Sequence, residues 1–275
     1  MGLKSRIHSS VVEIIMWLFT VIVFIPYLLV VLTSVKTSKE AGLFQLNLPS
    51  EIHIVENYRM VFEKGYVFQG FLNSLIITGL SAAIILFSSS LLSFYIARVK
   101  TRVSTFLYIY FTMGMTTPIS LVTTFQLLKK LGILNTRLGV IMIFCSILIP
   151  FASFIYVGFI KSIPVEMDEA AIIDGCGPYR LFTQIVLPLL KPATFTCAVL
   201  VFMNVWNDAQ VVLFFLNKSE NWTMPLNIYR FFSYFRTDWN YVFGSVFLTT
   251  LPVFIIYLFG QRYIIQGMVS GAVKG

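Results

Sequence analysis

The sequence has few charged residues for its length. Asp, Glu, Lys and Arg make up 12% of the 275 residues, whereas 57% of the residues are apolar. The mean hydropathy is +0.84. A water-soluble domain cannot cover so large an apolar core with so few charged side chains. The composition therefore excludes a soluble globular protein and predicts an integral membrane protein whose main solvent is lipid.

Residue types that carry chemistry are also scarce. The three cysteines, Cys145, Cys176 and Cys197, are far apart and form no CxxC pair. The two histidines, His8 and His53, lie outside the long apolar stretches. This pattern indicates neither a metal site, nor a disulfide framework, nor an enzymatic nucleophile. The sequence also lacks a GxxxxGK[ST] phosphate loop, which predicts that the chain holds no cofactor and does not hydrolyse ATP by itself.

Six apolar intervals are long enough to cross a bilayer, which takes about 20 residues. The predicted spans are approximately 12–35, 72–97, 104–128, 138–160, 192–216 and 240–261 of a single transmembrane domain. The first is longer than a signal-peptide core and is expected to remain as a helix. The second is expected to begin near Asn73, after a surface segment. The third contains Thr116, Thr117 and Pro118 at its middle, which predicts a kink that could serve function or only packing.

Lys and Arg residues leave the orientation open. An even number of spans puts both termini on one side, and ten basic residues lie on each side of the membrane. The dense turn from Arg98 to Arg102 favours its own side as cytoplasmic. The net charge of +8 is scattered singly and in pairs, which is typical of loops beside membrane spans and not of a nucleic-acid groove.

Segment 161–191 interrupts the apolar pattern with charges, glycines and prolines. Pro164 suits a first helical turn, and Gly175 can end that helix in the left-handed conformation. Gly177-Pro178 then begins a second short helix. Ala170 and Ala171, beside Glu169, give a face poor in side chains that another protein surface could approach closely. An amphipathic helix lying on lipid headgroups is the alternative, and the residue types alone do not separate the two.

The spacing in this segment separates them. From Glu169 the order is E-A-A, three residues, Gly175, nine residues, Ile185, one residue and Leu187-Pro188. This resembles, without a gap, the EAA signature of permease subunits of bacterial ABC importers. The final FGQRYIIQGMVSGAVKG, and more weakly WND at 206–208 and NSL at 73–75, are similar to the carbohydrate-uptake permeases of the maltose type, in particular the smaller permease subunit. The resemblance covers the whole six-span chain.

The resemblance implies an all-α type I importer permease with six transmembrane helices. In that family the EAA loop is a cytoplasmic coupling helix that sits in a cleft of an ATPase subunit, so both termini are expected in the cytoplasm of a bacterial or archaeal cell, with the chain multi-pass in its membrane. The residues that match the docking motif are Glu169, Ala170, Ala171 and Gly175, with Asp174 as a second ionic contact. Nucleotide binding would displace this helix and rock the transmembrane helices between inward-open and outward-open states.

The resemblance also implies the partners. They are a second homologous permease, an ATPase dimer that binds ATP and Mg, an extracytoplasmic solute-binding protein, membrane lipid and a sugar, for which we expect an oligosaccharide. The alternative is a secondary transporter or a channel that is not coupled to ATP. Such proteins normally keep ionisable residues within their spans, and Asp208 is the one acidic candidate in these apart from Glu13, which lies at the edge of the first span.

Sugars bind to aromatic faces and planar polar groups, and the fifth span carries a set of both. The candidates for the substrate path are Asn204, Trp206, Asn207 and Asp208. Plain helix packing is the alternative for all four.

Two further segments are expected to meet partners. The predicted contacts are Asn221, Trp222 and Met224 for the solute-binding protein, and Gln266, Gly267 and Gly271, in the cytoplasmic tail 262–275, for the ATPase subunits. Aromatic residues that mark the membrane boundary, and a frayed terminus, are the respective alternatives.

Overall fold

The computed structural model describes residues 3–232 and 237–272, with side chains at 12–232 and 237–261. The described residues form helices joined by turns, and the predicted all-α class is confirmed. The chain divides into two compact units. One unit is Met1–Phe68 with Asn227–Leu251, and the other is Gln69–Leu226 with Pro252–Gly275.

The first unit contains a long apolar helix and a short polar segment after it. Its helices are α1 (Leu3–Ser34), α2 (Ser38–Ala41) and α3 (Ile54–Lys64), with the beginning of a long final helix, Trp239–Ala272. Every side chain from 12 to 28 is exposed, although most are large and apolar. A helix that is apolar all round and unburied within its own chain suits a lipid environment.

Buried polar groups fix the segment that follows α1. The side chain of Lys36 is 1% exposed, and its Nζ donates to the Gln45 carbonyl and to Asn47 Oδ1 at 2.7 Å each. Asn57 Nδ2 donates to the Lys36 carbonyl at 2.9 Å, and Asn240 Nδ2 donates to Asn57 Oδ1 at 2.8 Å. Because buried polar groups are costly unless they are hydrogen-bonded, this network holds the segment in one conformation.

The second unit contains most of the remaining helices. They are α4 (Val67–Arg98), α5 (Arg102–Thr116), α6 (Leu121–Lys130), α7 (Arg137–Ser162), α8 (Glu166–Ile173), α9 (Pro178–Arg180), α10 (Leu187–Leu189), α11 (Lys191–Asn207), α12 (Gln210–Phe215) and α13 (Met224–Asn227), before the final helix, α14 (Trp239–Ala272). A π-helical turn, Leu181–Val186, joins α9 to α10. The apolar helix α7 is buried along most of its length and packs against α5, α11 and α12.

Serine side chains join α4 to α7. Ser93 Oγ donates to the Ser153 carbonyl at 3.0 Å, and Ser89 Oγ donates to the Ile149 carbonyl at 3.3 Å. Small side chains let the two backbones approach closely, and the hydroxyls supply hydrogen bonds across the interface. The C-terminal third of α4 is therefore linked to α7.

Four described helices are long and apolar enough to cross a membrane, and two bent helix pairs raise the number to six if each pair is one span. Six crossings therefore remain a prediction, because two of them depend on counting each bent pair as one span. The second long helix, α4, begins at Val67, which is earlier than the expected start near Asn73. The preceding helix, α3, ends at Lys64. The final helix continues to Ala272, so most of the stretch predicted as a tail is helical.

The third predicted span is interrupted rather than kinked. Helix α5 ends at Thr116, α6 begins at Leu121, and their axes are bent by 116°. Pro118 lacks an N–H, and the residue before it, Thr117, is held in the extended region with ψ 116°. The hydroxyls of Thr116 and Thr117 donate to the Met113 carbonyl at 2.9 and 3.1 Å, which satisfies the end of α5.

The fifth predicted span, 192–216, is not one helix either. Helix α11 ends at Asn207 and α12 begins at Gln210. Asp208 has extended backbone, and its Oδ1 accepts from the Val211 N–H at 2.7 Å, so it caps the new helix. A side chain that competes for backbone hydrogen bonds in this way favours a break over a continuous helix.

Candidate functional site

Helix α8 carries the EAA sequence, and its first turn is acidic. The first-turn acids are Glu166, Asp168 and Glu169. Negative side chains are favourable there because the unpaired N–H groups make a helix N-terminus positive. Pro164, predicted within the first turn, lies before the helix, since Val165 occupies the capping position.

Gly175 ends α8 as predicted, in the left-handed region at φ +84°. Its N–H donates to the Ile172 carbonyl at 3.0 Å, and the N–H of Cys176 donates to the Ala171 carbonyl at 2.9 Å. This pair of bonds is the Schellman motif, which satisfies the last carbonyls of a helix. A Cβ added at Gly175 would have no atom within 4 Å, so the backbone conformation alone requires glycine there.

The two faces of α8 differ. Asp168 and Ala171, three residues apart and each 6% exposed, face the interior of their own unit. Glu169 and Ala170 are exposed. The side chain of Ala171 packs in the core of this chain, and the place of this residue in the docking motif stays a prediction.

Large apolar side chains accompany the exposed acids. Ile173 is 85% exposed and Tyr179 is 80% exposed, and Ile172 lies beside them in sequence and is also exposed. The headgroup alternative for this segment would place the two isoleucines against lipid, and the sequence analysis missed Tyr179. A headgroup-binding helix prefers Lys and Arg on its polar face, whereas this surface presents carboxylates. Exposed carboxylates beside large exposed apolar side chains suit a protein cleft with apolar walls and basic residues.

Arg98, the last residue of α4, holds the inward face of α8. Its Nε lies 2.5 Å from Asp168 Oδ2 as an ion pair, and both Nη atoms donate to the Ile163 carbonyl at 3.2 Å. When the side-chain atoms alone are counted, Arg98 is 11% exposed and Asp168 is 8% exposed. Sequence reasoning used Arg98 only as a charge for orientation, because a pairing between residues so distant along the chain has no local signal.

The four substrate-path candidates divide into two groups. Asn204 and Asn207 are exposed and lie three residues apart, so they share one face of α11. Trp206 is 1% exposed and stacks on Phe202 with ring centroids 5.2 Å apart, which is a packing contact within this chain. Asp208 is half-buried and caps α12. The two asparagines are therefore the candidates that reach a surface.

The break between α5 and α6 exposes further polar groups. The exposed polar residues at and after the break are Thr116, Thr117, Ser120, Thr123 and Gln126. Lipid does not tolerate irregular backbone unless the backbone lines a water-filled cavity or contacts protein. The sequence predicted a kink here and left open whether it serves function or packing, and the structure makes this break a second candidate surface.

The segment after α12 is tied to the beginning of α4. Asn73 Nδ2 donates to the Trp222 carbonyl at 3.0 Å, and Ser74 Oγ accepts from the Met224 N–H at 2.9 Å. Met224 is 5% exposed, which contradicts its use as a surface contact in this structure. Asn221 and Trp222 are half-buried.

The predicted contacts in the tail lie beyond residue 261, the last residue whose side chain the structure describes. Gln266, Gly267 and Gly271 lie in α14, but their side chains are outside the described residues. Among the side chains that are described, no group of three or more His, Cys, Asp or Glu residues could hold a metal ion.

The helices and the solvent-facing acidic helix α8 define a polytopic membrane permease subunit of the type I importer fold. Residues 89–270 match the family described as "Binding-protein-dependent transport system inner membrane component", and the chain belongs to this family. The recognition of an ABC importer permease is thus confirmed. Members of this family are the non-catalytic membrane subunits of ABC importers.

Individual relatives agree with this family over almost their whole length. The probable starch degradation products transport system permease protein AmyC of Thermoanaerobacterium thermosulfurigenes is 35% identical, covering 90% of this chain and 91% of the relative. The melibiose/raffinose/stachyose import permease protein MelC of Bacillus subtilis (strain 168) is 32% identical, covering 92% of each chain. A bacterial ABC transporter involved in the import of the acidic polysaccharide alginate has a chain with the same fold, with a TM-score of 0.83 at 18% identity, covering 96% and 98% of the two chains.

Proposed function

We propose that this chain is one of two permease subunits of an importer that carries an oligosaccharide into the cytoplasm, driven by ATP hydrolysis on partner subunits. The relatives support the substrate class. Their names specify starch degradation products, melibiose, raffinose and stachyose, and arabinooligosaccharides, each with at least 90% of this chain aligned. Oligosaccharides are common to these substrates, whereas the individual sugar differs from one relative to the next.

The surface of α8 is the observation that carries the coupling role. Glu169, Ala170 and Ile173 face away from the chain, in a segment that lies between spans. Burying Ile173 in an ATPase cleft would remove apolar surface from water, and Glu169 would supply a charge-assisted contact. Asp174, exposed just after the helix, is a second candidate for an ionic contact.

The position of Arg98 supports a cytoplasmic α8. The ion pair with Asp168 brings the basic turn Arg98, Lys100 and Arg102 to the same end of the second unit as α8. Cytoplasmic loops carry an excess of Lys and Arg, so one orientation satisfies both the charge rule and the coupling role. With six spans, both termini then lie in the cytoplasm.

The substrate path would use the two exposed polar surfaces within the spans. Asn204 and Asn207 present planar amides, and Asn204 Nδ2 also donates to the Leu200 carbonyl at 2.8 Å. Thr117 and Ser120 present hydroxyl oxygens at the break, and the Thr117 hydroxyl, which donates to the Met113 carbonyl, can still accept a hydrogen bond. These groups hydrogen-bond to sugar hydroxyls, and the exposed break needs water or protein beside it. A second, homologous permease would supply the opposite wall.

The other proposed partners are an extracytoplasmic solute-binding protein and an ATPase dimer. Asn221 is the candidate for contact with the extracytoplasmic solute-binding protein, because Met224 is buried and the Trp222 indole N–H already donates to the Leu216 carbonyl at 3.2 Å. ATP and Mg would bind to the ATPase dimer. Gln266, Gly267 and Gly271 remain candidates for contact with that dimer.

An uptake assay tests the proposed substrate class. The chain is deleted in its native host, and uptake is measured for labelled starch-derived, α-galactoside and arabinose-containing oligosaccharides, with and without a plasmid copy. We expect uptake of at least one oligosaccharide class to be lost and then restored by the plasmid. Unchanged uptake of every sugar, together with lost uptake of an amino acid or a phosphate ester, would contradict the proposal.

A further inference from the structure

We propose that Arg98 is a positioning residue that makes α4 move with the coupling helix α8, so that ATP hydrolysis is converted into sugar movement. The inference rests on the proposed coupling role of α8. It concerns the inward face of that helix, whereas docking concerns the outward face.

One guanidinium joins three elements. Arg98 ends α4, its Nε pairs with Asp168 of α8 at 2.5 Å, and both Nη atoms donate at 3.2 Å to the carbonyl of Ile163, which follows α7. Helix α8 follows α7 after a short connection, so α7 is tied to it covalently. Helix α4 ends far earlier in the chain, and Arg98 supplies its side-chain link to α8.

The surroundings make this link stiff. Both side chains of the ion pair are about nine-tenths buried, and Ala171, on the same inward face, is 6% exposed. A buried ion pair is little screened by salt, and separating its charges is costly. A displacement of α8 by a docked ATPase is therefore passed to the end of α4 rather than absorbed by a loose contact.

Helix α4 in turn is linked to α7. Ser93 and Ser89 donate to carbonyls of α7 at 3.0 and 3.3 Å. The C-terminal part of α4 is thus held to α7 at Ser89 and Ser93, and its last residue, Arg98, is held to the carbonyl that follows α7. A movement that enters at Asp168 would carry α4 and α7 as one body.

Arginine suits this position better than lysine. The guanidinium presents its Nε and Nη atoms in a fixed plane, so it contacts the carboxylate of Asp168 and the carbonyl of Ile163 at once. A lysine ammonium keeps the charge but places its donors around a single atom. Arg98→Lys should therefore keep the helix folded while loosening the link between the three elements.

The test uses the whole transporter, co-expressed with its partner subunits and reconstituted in proteoliposomes. The variants are Arg98→Lys, Arg98→Gln and Asp168→Asn, with Lys100→Gln as the matched control, because Lys100 is an exposed cation in the same turn. Two quantities are measured for each: the amount of ATPase that co-purifies, and the number of sugar molecules transported per ATP hydrolysed.

We expect the Arg98 and Asp168 variants to retain the ATPase and to lose about 5-fold or more of the sugar transported per ATP, a typical allosteric coupling factor. Lys100→Gln should match the wild type. Wild-type stoichiometry in Arg98→Lys would overturn the proposal, and so would loss of the ATPase from that variant, since Arg98 would then serve docking or folding. Failure of the wild-type chain itself to recover an ATPase would instead contradict the proposed function.

Discussion

At the scale of single residues, two adjacent carboxylates have opposite environments. Asp168 is 6% exposed and paired with Arg98, whereas Glu169 is exposed and faces away from the chain. Neighbouring positions on a helix point about 100° apart, so α8 can hold its own chain with one acid and present the other. The two residues should therefore respond differently to substitution.

Reversing the charge of Glu169 should weaken ATPase binding. A charge-assisted contact in the cleft is worth about 1.5 to 3 kcal/mol, so Glu169→Lys should raise the dissociation constant of the purified ATPase about tenfold or more. Glu220→Lys makes the same exchange at an exposed site in the segment proposed to lie outside the cell. Equal affinities for both variants and the wild type would show that Glu169 does not touch the ATPase.

Gly175 and Gly177 form a matched pair for testing the turn after α8. Gly175 has φ +84°, and Gly177 has φ −71°, while an added Cβ meets no atom within 4 Å at either position. Gly175→Ala should cost about 1 to 2 kcal/mol because the left-handed conformation is strained for an L-residue. Gly177→Ala should be close to neutral. Thermal unfolding in detergent checks both variants, and equal midpoints would mean that the corner adapts without strain.

At the scale of elements, sequence patterns located the apolar helices better than their interruptions. Length and composition identify Arg137–Ser162 because a long uncharged stretch has few other uses. Pro118 predicted a kink, but the capping of Met113 by two threonine hydroxyls makes a complete break. Asp208 was a candidate for the substrate path with helix packing as the alternative, and the sequence did not show that its carboxylate accepts from the Val211 N–H where α12 begins. Side-chain bonds to the backbone depend on rotamers, which composition does not reveal.

The α5–α6 break should be accessible to water. In a chain that carries Cys176→Ser, Thr117→Cys should react with a membrane-impermeant thiol reagent, because the thiolate forms only where water reaches it. Cys145 and Cys197 are buried and should remain unreactive. Phe24→Cys, at an exposed apolar position of α1, is the lipid-facing control. If Thr117→Cys were as unreactive as Phe24→Cys, the break would not line an aqueous path.

The position of the candidate coupling site was also predicted from the sequence, whereas its contacts were not. The EAA spacing located α8, and the left-handed glycine followed from turn chemistry. A helix of two turns is too short for its periodicity to show that Asp168 and Ala171 face inward. The pairing of Asp168 with Arg98 is a long-range contact, which depends on how α4 and α8 pack and not on local sequence.

At the scale of the whole molecule, the chain is a membrane subunit of an ABC importer. It belongs to a family of importer membrane subunits, and it has no phosphate loop of its own. The side chains of α1 from 12 to 28 are unburied, and those of α8 include large exposed isoleucines. A lipid environment suits the first surface, and the second, which lies between spans, is the one that we propose to contact the ATPase.

The most direct test of the central claim is to identify what accompanies the chain in its membrane. The tagged chain is extracted from its native host in a mild detergent, and the co-purifying proteins are identified by mass spectrometry. We expect a Walker-motif ATPase and a second polytopic permease to co-purify with the chain. Recovery of the chain alone, or only with copies of itself, would contradict the assignment of this chain as the coupled subunit of an ATP-driven importer.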